Sequence, residues 1–214
     1  MAVEAVIWDF GGVFTTSPFE AFNRYEARRG LPKDLIRGIN AANPHENAWA
    51  LFERAEIDAR GFDVKFAEEA SALGHEVRGA DVLPLLSGEV RPRMVEALRT
   101  CKRHFKVGCI TNNMASVGRG PGMAANAEGA SRVGGIMELF DAVVESSKVG
   151  VRKPDPRIYL MMCELLAVEP KACIYLDDLG VNCKPAAQLG MVAIKVETEA
   201  QALDALAKAT GLEF

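Results

Sequence analysis

Polar side chains that can do chemistry follow apolar, strand-like runs at three widely separated places in the chain. Asp9, Thr111 and the doublet Asp177-Asp178 each follow such a run, and Lys153 lies in a loop between the second and the third. Adjacent carboxylates at the end of a buried strand repel each other unless a cation holds them. Carboxylates favour a hard cation, a hydroxyl donates hydrogen bonds, and a lysine neutralises an anion. Together these residue types predict a magnesium-dependent phosphate site.

Each of these residues also has a purely structural interpretation. Asp9 could hold the turn made by the two glycines that follow it, and one aspartate of the later doublet could cap the helix after it. Thr111 could be an ordinary strand-end hydroxyl, and Lys153 a solvated loop lysine. The joint occurrence of all of them, in this order, favours the chemical interpretation.

The elements that must position these residues alternate along the chain. Apolar strands are predicted over residues 6–8, 105–110, 142–144, 173–176 and 191–196. A glycine-rich loop with Gly118, Gly120 and Gly122 follows the second strand, and helical patterns separate the last three strands. This alternation is typical of an α/β fold with a Rossmann-like parallel sheet and helices on both faces. Ligands of such sheets bind outside the carboxyl ends of the strands. We therefore expect the aspartates and Thr111 to converge on one edge of the sheet.

Residues 17–85 show helical spacing and no convincing strand. Ser17, Pro18 and Glu20 predict a capping box at the start of the first helix, and Gly30 is expected to end it. Further helices are predicted over residues 32–40, 48–55 and 58–74, the last capped by Asp58. We expect residues 1–16 and 86–214 to form an α/β core domain and residues 17–85 to form an inserted α-helical cap domain.

The predicted cap should close over the strand ends and exclude water, with hinges near residues 15–16 and 86–88. Helical spacing of its aromatic side chains favours a core of the cap over a substrate cage. These side chains are Phe19, Phe22, Tyr25, Trp49, Phe52, Phe62 and Phe66. Arg28, Arg29 and Arg54 could reach a second anionic group of a substrate, although placement on the surface is the simpler interpretation.

The composition is that of an ordinary soluble globular protein. The 214 residues are 49% hydrophobic and 25% charged, and the net charge of -4 gives no electrostatic reason to expect nucleic acid or an anionic membrane as a partner. Five cysteines form no CxxC pair, which favours buried thiols in a reducing cytoplasm. The first residues lack a signal-peptide pattern, and no apolar run is long enough for a membrane span. We expect a soluble cytoplasmic protein of undetermined oligomeric state.

Four ordered motifs resemble those of the haloacid dehalogenase (HAD) superfamily, in the branch with a helical cap after the first motif. They are DFGGV at residues 9–13, ITN at 110–112, VGVRKPDP at 149–156 and LDD at 176–178. The segment LDDLGVNCKPA at 176–186 is also similar to the N-terminal phosphatase domain of soluble epoxide hydrolases. The resemblance covers essentially the whole chain, loosely in the cap, and implies a phosphatase with a HAD-like fold.

The resemblance implies a reaction through a covalent intermediate. Asp9 would attack phosphorus and form an aspartyl-phosphate that water then hydrolyses. Thr111 and Asn112 would hold the phosphoryl oxygens, and Lys153 would offset charge on the nucleophile and on the phosphoryl group. The implied substrate is a small phosphorylated molecule.

The resemblance also implies Mg²⁺ as a cofactor. Asp9, Asp178 and the backbone carbonyl of Gly11 would bind the ion. Asp177 and Asn182 would orient Lys153, the ion or its waters as supporting groups.

Gly11 departs from the family pattern. Phosphatases of the family usually carry a second aspartate at this position, whose side chain is the general acid and base. Glycine keeps the backbone carbonyl and loses the acid, and positioned acid–base catalysis contributes about 10²–10⁴-fold. We therefore expect slow hydrolysis of alkyl phosphates and faster hydrolysis of aryl, acyl or anomeric phosphates, whose leaving groups need little protonation.

Two other functions stay open. A hydrolytic dehalogenase also uses an aspartate nucleophile and tolerates loss of the second aspartate, but it needs no metal, so the doublet Asp177-Asp178 speaks against it. A non-catalytic phosphate-binding module would explain Gly11 as decay, whereas the joint presence of Asp9 and Lys153 with the doublet argues against it. The phosphatase explains the largest number of site residues.

Overall fold

A computed structural model of the chain describes residues 2–114 and 127–214, and the predicted glycine-rich loop lies outside the described residues. Within these residues five strands form one sheet in which all neighbouring strands are parallel. The strands are β1 (Ala5–Trp8), β2 (Lys106–Thr111), β3 (Ala142–Glu145), β4 (Cys173–Asp177) and β5 (Val192–Lys195). Their spatial order is β3-β2-β1-β4-β5. The parallel α/β sheet expected from the sequence is confirmed.

Strand β1 occupies the centre of the sheet, and its register sets the height of the strand ends. Trp8 pairs with Leu176 of β4, and the backbone N–H of Asp9 donates to the carbonyl of Leu176 at 2.7 Å. Asp9 therefore lies level with the ends of its neighbours. Strands β2 and β4 extend one residue beyond their predicted ends, so that Thr111 and Asp177 are the last strand residues.

A helical insertion, residues 18–86, separates β1 from the rest of the sheet in sequence. Its helices are α1 (Pro18–Arg29), α2 (Leu35–Ala41), α3 (Ala48–Glu53), α4 (Ala59–Ala72) and α5 (Gly79–Val82), followed by a 3₁₀ turn over Leu83–Leu86. Its aromatic residues form the predicted core of their own, in which Phe52, Phe62 and Phe66 are fully buried. The predicted division of the chain into two domains stays a prediction.

Two details of the helix starts differ from expectation. Ser17 makes no side-chain capping bond, so the predicted capping box of α1 is wrong, although α1 begins at Pro18 and ends before a left-handed Gly30. Helix α2 begins at Leu35 rather than near residue 32. The predicted cap of α4 is present, because the Asp58 carboxylate accepts from the Gly61 N–H at 2.8 Å.

The remaining helices cover both faces of the sheet. They are α6 (Pro92–Lys102), α7 (Ala127–Met137), α8 (Ser146–Val149), α9 (Pro156–Leu166), α10 (Gly180–Gln188) and α11 (Glu199–Thr210). Val6 and Trp8 of β1 point into one apolar cluster, and Ala5 and Ile7 point into a second cluster on the opposite face. Strand β5 lies at the sheet edge, where Val192 is half-exposed.

Two short linkers join the helical insertion to the sheet. They pair through an antiparallel bridge between Thr15 and Val90, and the Arg91 N–H donates to the Phe14 carbonyl at 2.8 Å. A side chain at Gly88 would meet the Thr16 carbonyl at 2.5 Å, which explains the glycine. The paired linkers lie where hinges were predicted.

The state of the cysteines and the length of the helices can be compared with the expectations from the sequence. All five cysteines are buried with free thiols. Among the described residues, no helix has both the length and the apolar character needed to cross a bilayer.

Candidate active site

A buried ammonium group joins the ends of β1 and β4. The Lys153 Nζ lies 2.7 Å from Asp9 Oδ1 and 2.8 Å from Asp177 Oδ2. The Lys153 side chain is 1% exposed, and that of Asp9 is 10% exposed. The structure therefore brings the first aspartate, the loop lysine and the later doublet into one site, as their positions after apolar strands predicted.

Asp177 is held from several sides. Its Oδ2 accepts a hydrogen bond from the Tyr175 hydroxyl at 2.5 Å, and its Oδ1 accepts from the Leu179 N–H at 2.8 Å. The Asn182 amide donates to both oxygens at 3.1 Å, and the Tyr159 hydroxyl donates to the Asn182 carbonyl at 2.8 Å. Both oxygens of Asp177 are therefore occupied, and Asp9 and Asp178 rather than Asp177 line the neighbouring cavity.

The charges in the site are unbalanced. Asp9, Asp177 and Asp178 each place one carboxylate oxygen within 4.8 Å of the others, which fits a metal ion. Burial, opposed by Lys153 and reinforced by the two other aspartates, raises the pKa of Asp9 well above its usual value. Burial and the charge of Asp177 raise the pKa of Asp178 to about 6. Although burial opposes it, the charges of Asp177 and Asp9 raise the pKa of Lys153. The three neighbouring carboxylates therefore carry more negative charge than the one ammonium group of Lys153 can balance.

Two adjacent glycines shape the wall beside Asp178. Gly12 has a φ of 72°, and a Cβ there would lie 2.2 Å from Asp178 Oδ2. Only glycine lets the backbone approach the carboxylate so closely. A Cβ at Gly11 would meet nothing within 4 Å, so a side chain fits at that position.

Asn112 holds the loop that carries Lys153. Its Oδ1 accepts from the Lys153 N–H at 2.8 Å, and its Nδ2 donates to the Lys153 carbonyl at 3.1 Å. The same Nδ2 donates to Glu53 of α3 at 3.1 Å. The Asn112 amide is thus directed at Lys153 and Glu53.

A cavity of about 1080 Å³ separates the strand ends from the helical insertion. Its walls include most of the predicted site residues, namely Asp9, Gly11, Thr111, Asn112, Lys153, Asp178 and Asn182. Phe19, Phe22 and Trp49 of the insertion belong both to its core and to the cavity wall. The cavity wall contains Arg37 and Arg152, whereas Arg28, Arg29 and Arg54 are not part of it.

Four residues of the site were not foreseen from the sequence. Tyr175 precedes Asp177 by two positions in β4 and so lies on the same face of the strand, a signal that was available. Arg152 belongs to the motif at residues 149–156, although the motif gave it no role, and no local pattern marks Tyr159 or Glu53.

The chain has sequence relatives with hydrolase names. The profile of the haloacid dehalogenase-like hydrolases matches residues 3–190. Bifunctional epoxide hydrolase 2 of Sus scrofa is 37% identical over 231 residues, an alignment that covers 100% of this chain and 40% of the relative. The chain therefore spans about two fifths of the length of that relative. A phosphatase of Mycobacterium tuberculosis is 27% identical over 220 residues, covering 97% of this chain and 94% of the relative.

Solved structures share the fold. A HAD family enzyme of Bacteroides thetaiotaomicron, in complex with magnesium and inorganic phosphate, has a TM-score of 0.58 at 16% identity and covers 92% of this chain and 96% of its own. L-2-haloacid dehalogenase of Xanthobacter autotrophicus has a TM-score of 0.61 at 17% identity, with coverage of 97% and 83%. These likenesses show the fold alone. Given the profile match over residues 3–190, the chain belongs to the haloacid dehalogenase-like hydrolases.

Proposed function

We propose that this hydrolase is a magnesium-dependent phosphatase that acts on a small phosphorylated molecule through an aspartyl-phosphate. The observation that carries the proposal is the contact of the buried Lys153 ammonium with Asp9, beside Asp178, in the wall of the cavity between the strand ends and the insertion. The named phosphatase among its relatives supports the same reaction class.

The donor set fits a divalent cation. Both carboxylate oxygens of Asp177 already have partners, namely Lys153, Tyr175, Leu179 and Asn182. Asp9 and Asp178, with the Gly11 carbonyl, would therefore hold the ion. Hard carboxylate and carbonyl oxygens are the ligands that Mg²⁺ prefers. When bound, Mg²⁺ would supply positive charge to the phosphoryl oxygens and to the two raised-pKa carboxylates.

Asp9 is oriented for attack. Its Oδ1 accepts from the Phe10 N–H at 2.7 Å and from Lys153, which leaves Oδ2 as the attacking oxygen. A bond forms between Oδ2 and phosphorus while the bond from phosphorus to the leaving oxygen breaks. Water then attacks the acyl phosphate and releases inorganic phosphate. Lys153 offsets the negative charge that both steps concentrate on the transferred group.

Thr111 and Asn112 have different parts in this proposal. Thr111 ends β2 at the cavity wall, where its hydroxyl can donate to a phosphoryl oxygen. The Asn112 amide is engaged with the Lys153 backbone, so we assign it the positioning of Lys153.

Gly11 determines which esters react fast. Among residues 2–114 and 127–214, no atom lies within 4 Å of a Cβ placed at Gly11, and glycine itself offers no acid to protonate a leaving alkoxide. We therefore expect kcat/KM to rise steeply as the pKa of the leaving group falls. Gly11→Asp fits that space and should raise kcat/KM for alkyl phosphates about 100-fold while changing aryl phosphates little. Gly11→Asn is the matched control without an acid. Equal rates of the wild type across the leaving-group series would contradict this reading.

Dehalogenation is the weaker alternative. The dehalogenase likeness is one of fold, and attack on an uncharged carbon gives no role to a cluster of three carboxylates, of which Asp9 and Asp177 are buried. A binding module without turnover would retain the site and release no phosphate.

A phosphate-release screen separates these functions. The protein is incubated with a panel of alkyl, aryl, acyl and anomeric phosphates and with 2-haloacids, with Mg²⁺ or with chelator, and Asp9→Asn serves as the control. We expect Mg²⁺-dependent phosphate release that Asp9→Asn abolishes. Halide release without metal would favour the dehalogenase, and no release from any compound would favour the binding module.

A further inference from the structure

A polar cluster joins the helical insertion to the strand ends. Oε2 of Glu53, the last residue of α3, lies 2.6 Å from the Arg152 Nε and 3.1 Å from the Asn112 Nδ2. The Arg152 Nη1 also donates to the carbonyl of Pro44, in the loop before α3, at 2.9 Å. One carboxylate of the insertion therefore binds two side chains of the sheet side, and Arg152 binds the insertion twice.

Both sheet-side partners act directly on the candidate catalytic lysine. Arg152 precedes Lys153 in the chain, and the Asn112 amide clamps the N–H and the carbonyl of Lys153. Lys153 in turn touches Asp9 at 2.7 Å. The contacts thus run without interruption from α3 to the carboxylate that we propose as the nucleophile.

The cluster is shielded enough to matter. The Glu53 and Arg152 side chains are 14% and 21% exposed, whereas most other ion pairs of the described residues lie at the surface. Hydrogen bonds between charged groups that are shielded from water contribute more to stability than exposed ion pairs, which contribute little. Covalently, the insertion is held only by the two linkers, and this polar cluster adds a non-covalent contact that can form and break.

We propose that Glu53 is a positioning residue that couples docking of the helical insertion to the placement of Lys153. With the insertion docked, Glu53 holds Asn112 and Arg152, and these hold the Lys153 backbone so that its ammonium meets Asp9. With the insertion released, Asn112 loses an acceptor and Arg152 loses both partners, so the Lys153 loop loosens. The inference rests on the proposed phosphatase function and adds a cause for coupling between closure and catalysis.

Steady-state kinetics test the coupling. Glu53→Ala and Arg152→Ala should each loosen the position of Lys153. We therefore expect each variant to lower kcat about tenfold, with KM changing less than threefold. The double variant should also lose about tenfold, because the contact between Glu53 and Arg152 is already broken in either single variant. Glu53→Gln should recover part of the loss, since its amide oxygen still accepts. Glu56→Ala, which breaks an exposed pair with Arg54 on the same insertion, is the matched control and should keep the wild-type kcat.

Hydrogen exchange at the Lys153 amide tests the positioning itself. This N–H donates to Asn112, so it should exchange about tenfold faster in Glu53→Ala and at the wild-type rate in Glu56→Ala. A kcat within twofold of wild type in Glu53→Ala, an additive loss of about 100-fold in the double variant, or an unchanged Lys153 exchange rate would overturn the inference. The exchange measurement needs no substrate. It therefore decides the inference even where the wild type shows no Asp9-dependent phosphate release, an outcome that would remove the proposed function instead.

Discussion

The strand-end site and the helical insertion fix their side chains in different ways. At the strand ends, backbone register places Asp9 beside Leu176, and buried hydrogen bonds then fix the charged groups. In the insertion, a separate aromatic core holds the helices together, and side chains at the edge of that core, such as Phe19 and Trp49, line the cavity. The difference teaches that the positions of Asp9, Asp177 and Asp178 are set by the sheet, whereas the insertion supplies part of the cavity wall.

The largest loss of activity is expected from replacing Lys153, whose ammonium group contacts the aspartates at the ends of β1 and β4. Lys153→Met leaves Asp177 buried without its cation and removes the stabilising charge from Asp9. We expect kcat/KM to fall about 10³-fold and the free energy of unfolding to fall by about 3 kcal/mol. Lys195→Met, which breaks an exposed pair with Glu197, is the control and should change both by little. Denaturant unfolding and phosphate-release kinetics measure the two quantities, and a Lys153→Met protein with near-wild-type activity would refute the site.

A core substitution in the insertion should separate the two regions. Phe62 is fully buried against Phe52 and Trp49, with ring centroids 5.0 and 4.8 Å apart. Phe62→Ala should cost about 3 kcal/mol and should loosen α3 and α4 first. Hydrogen exchange should then rise in these helices while the amides of β1 and β4 stay protected. Equal loss of protection in the sheet would show that the two regions unfold as one unit.

Neighbouring glycines give a sharper contrast inside the sheet side. Gly12→Ala pushes a methyl group into Asp178 and adopts an unfavourable φ, so kcat/KM should fall about 30-fold, within the cost of backbone strain of about 1–3 kcal/mol. Gly11→Ala enters open space and should keep kcat/KM within about twofold on an aryl phosphate. A reversed order of these two variants would mean that the Asp178 carboxylate does not lie against Gly12.

The smallest predicted effect is electrostatic. In metal-free protein the pKa of Asp178 is raised from 3.8 to about 6, so the folded state binds an extra proton between these values. The stability this group contributes is full below pH 4 and is lost as the pH rises through 6. Relative to Asp178→Asn, the wild type should therefore lose about 2 kcal/mol between pH 4 and 7 in chelator. Urea titrations at several pH values check this, and a difference that does not change with pH would contradict it.

The residues of the candidate site could be predicted from the sequence better than the helix starts around them. Asp9, Thr111 and the aspartate doublet could be placed because parallel strands bring their carboxyl ends to one edge. The start of α2 could not, because Glu26 of the preceding helix accepts hydrogen bonds from the N–H groups of Asp34 and Ile36, both at 2.8 Å. Ser17 fits a capping pattern yet does not cap, since pattern alone does not fix a side-chain direction.

Contacts between remote segments account for the rest. The role of Asn112 at the phosphoryl group stays a prediction, and what the sequence did not indicate is that its side-chain amide clamps the Lys153 backbone, 41 residues away in the chain. Glu53 and Arg152 are 99 residues apart, and no spacing rule connects them. Local pattern therefore predicted the elements and the strand ends, whereas docking of the insertion required the folded chain.

Trapping of the covalent intermediate tests the central claim most directly. The protein is mixed with an aryl phosphate and Mg²⁺, quenched within one turnover, and treated with borohydride, which reduces an acyl phosphate to an alcohol. We predict homoserine at position 9 in the peptide mass spectrum, and none in Asp9→Asn or without substrate. An unmodified Asp9 peptide from protein that is releasing phosphate would contradict the account.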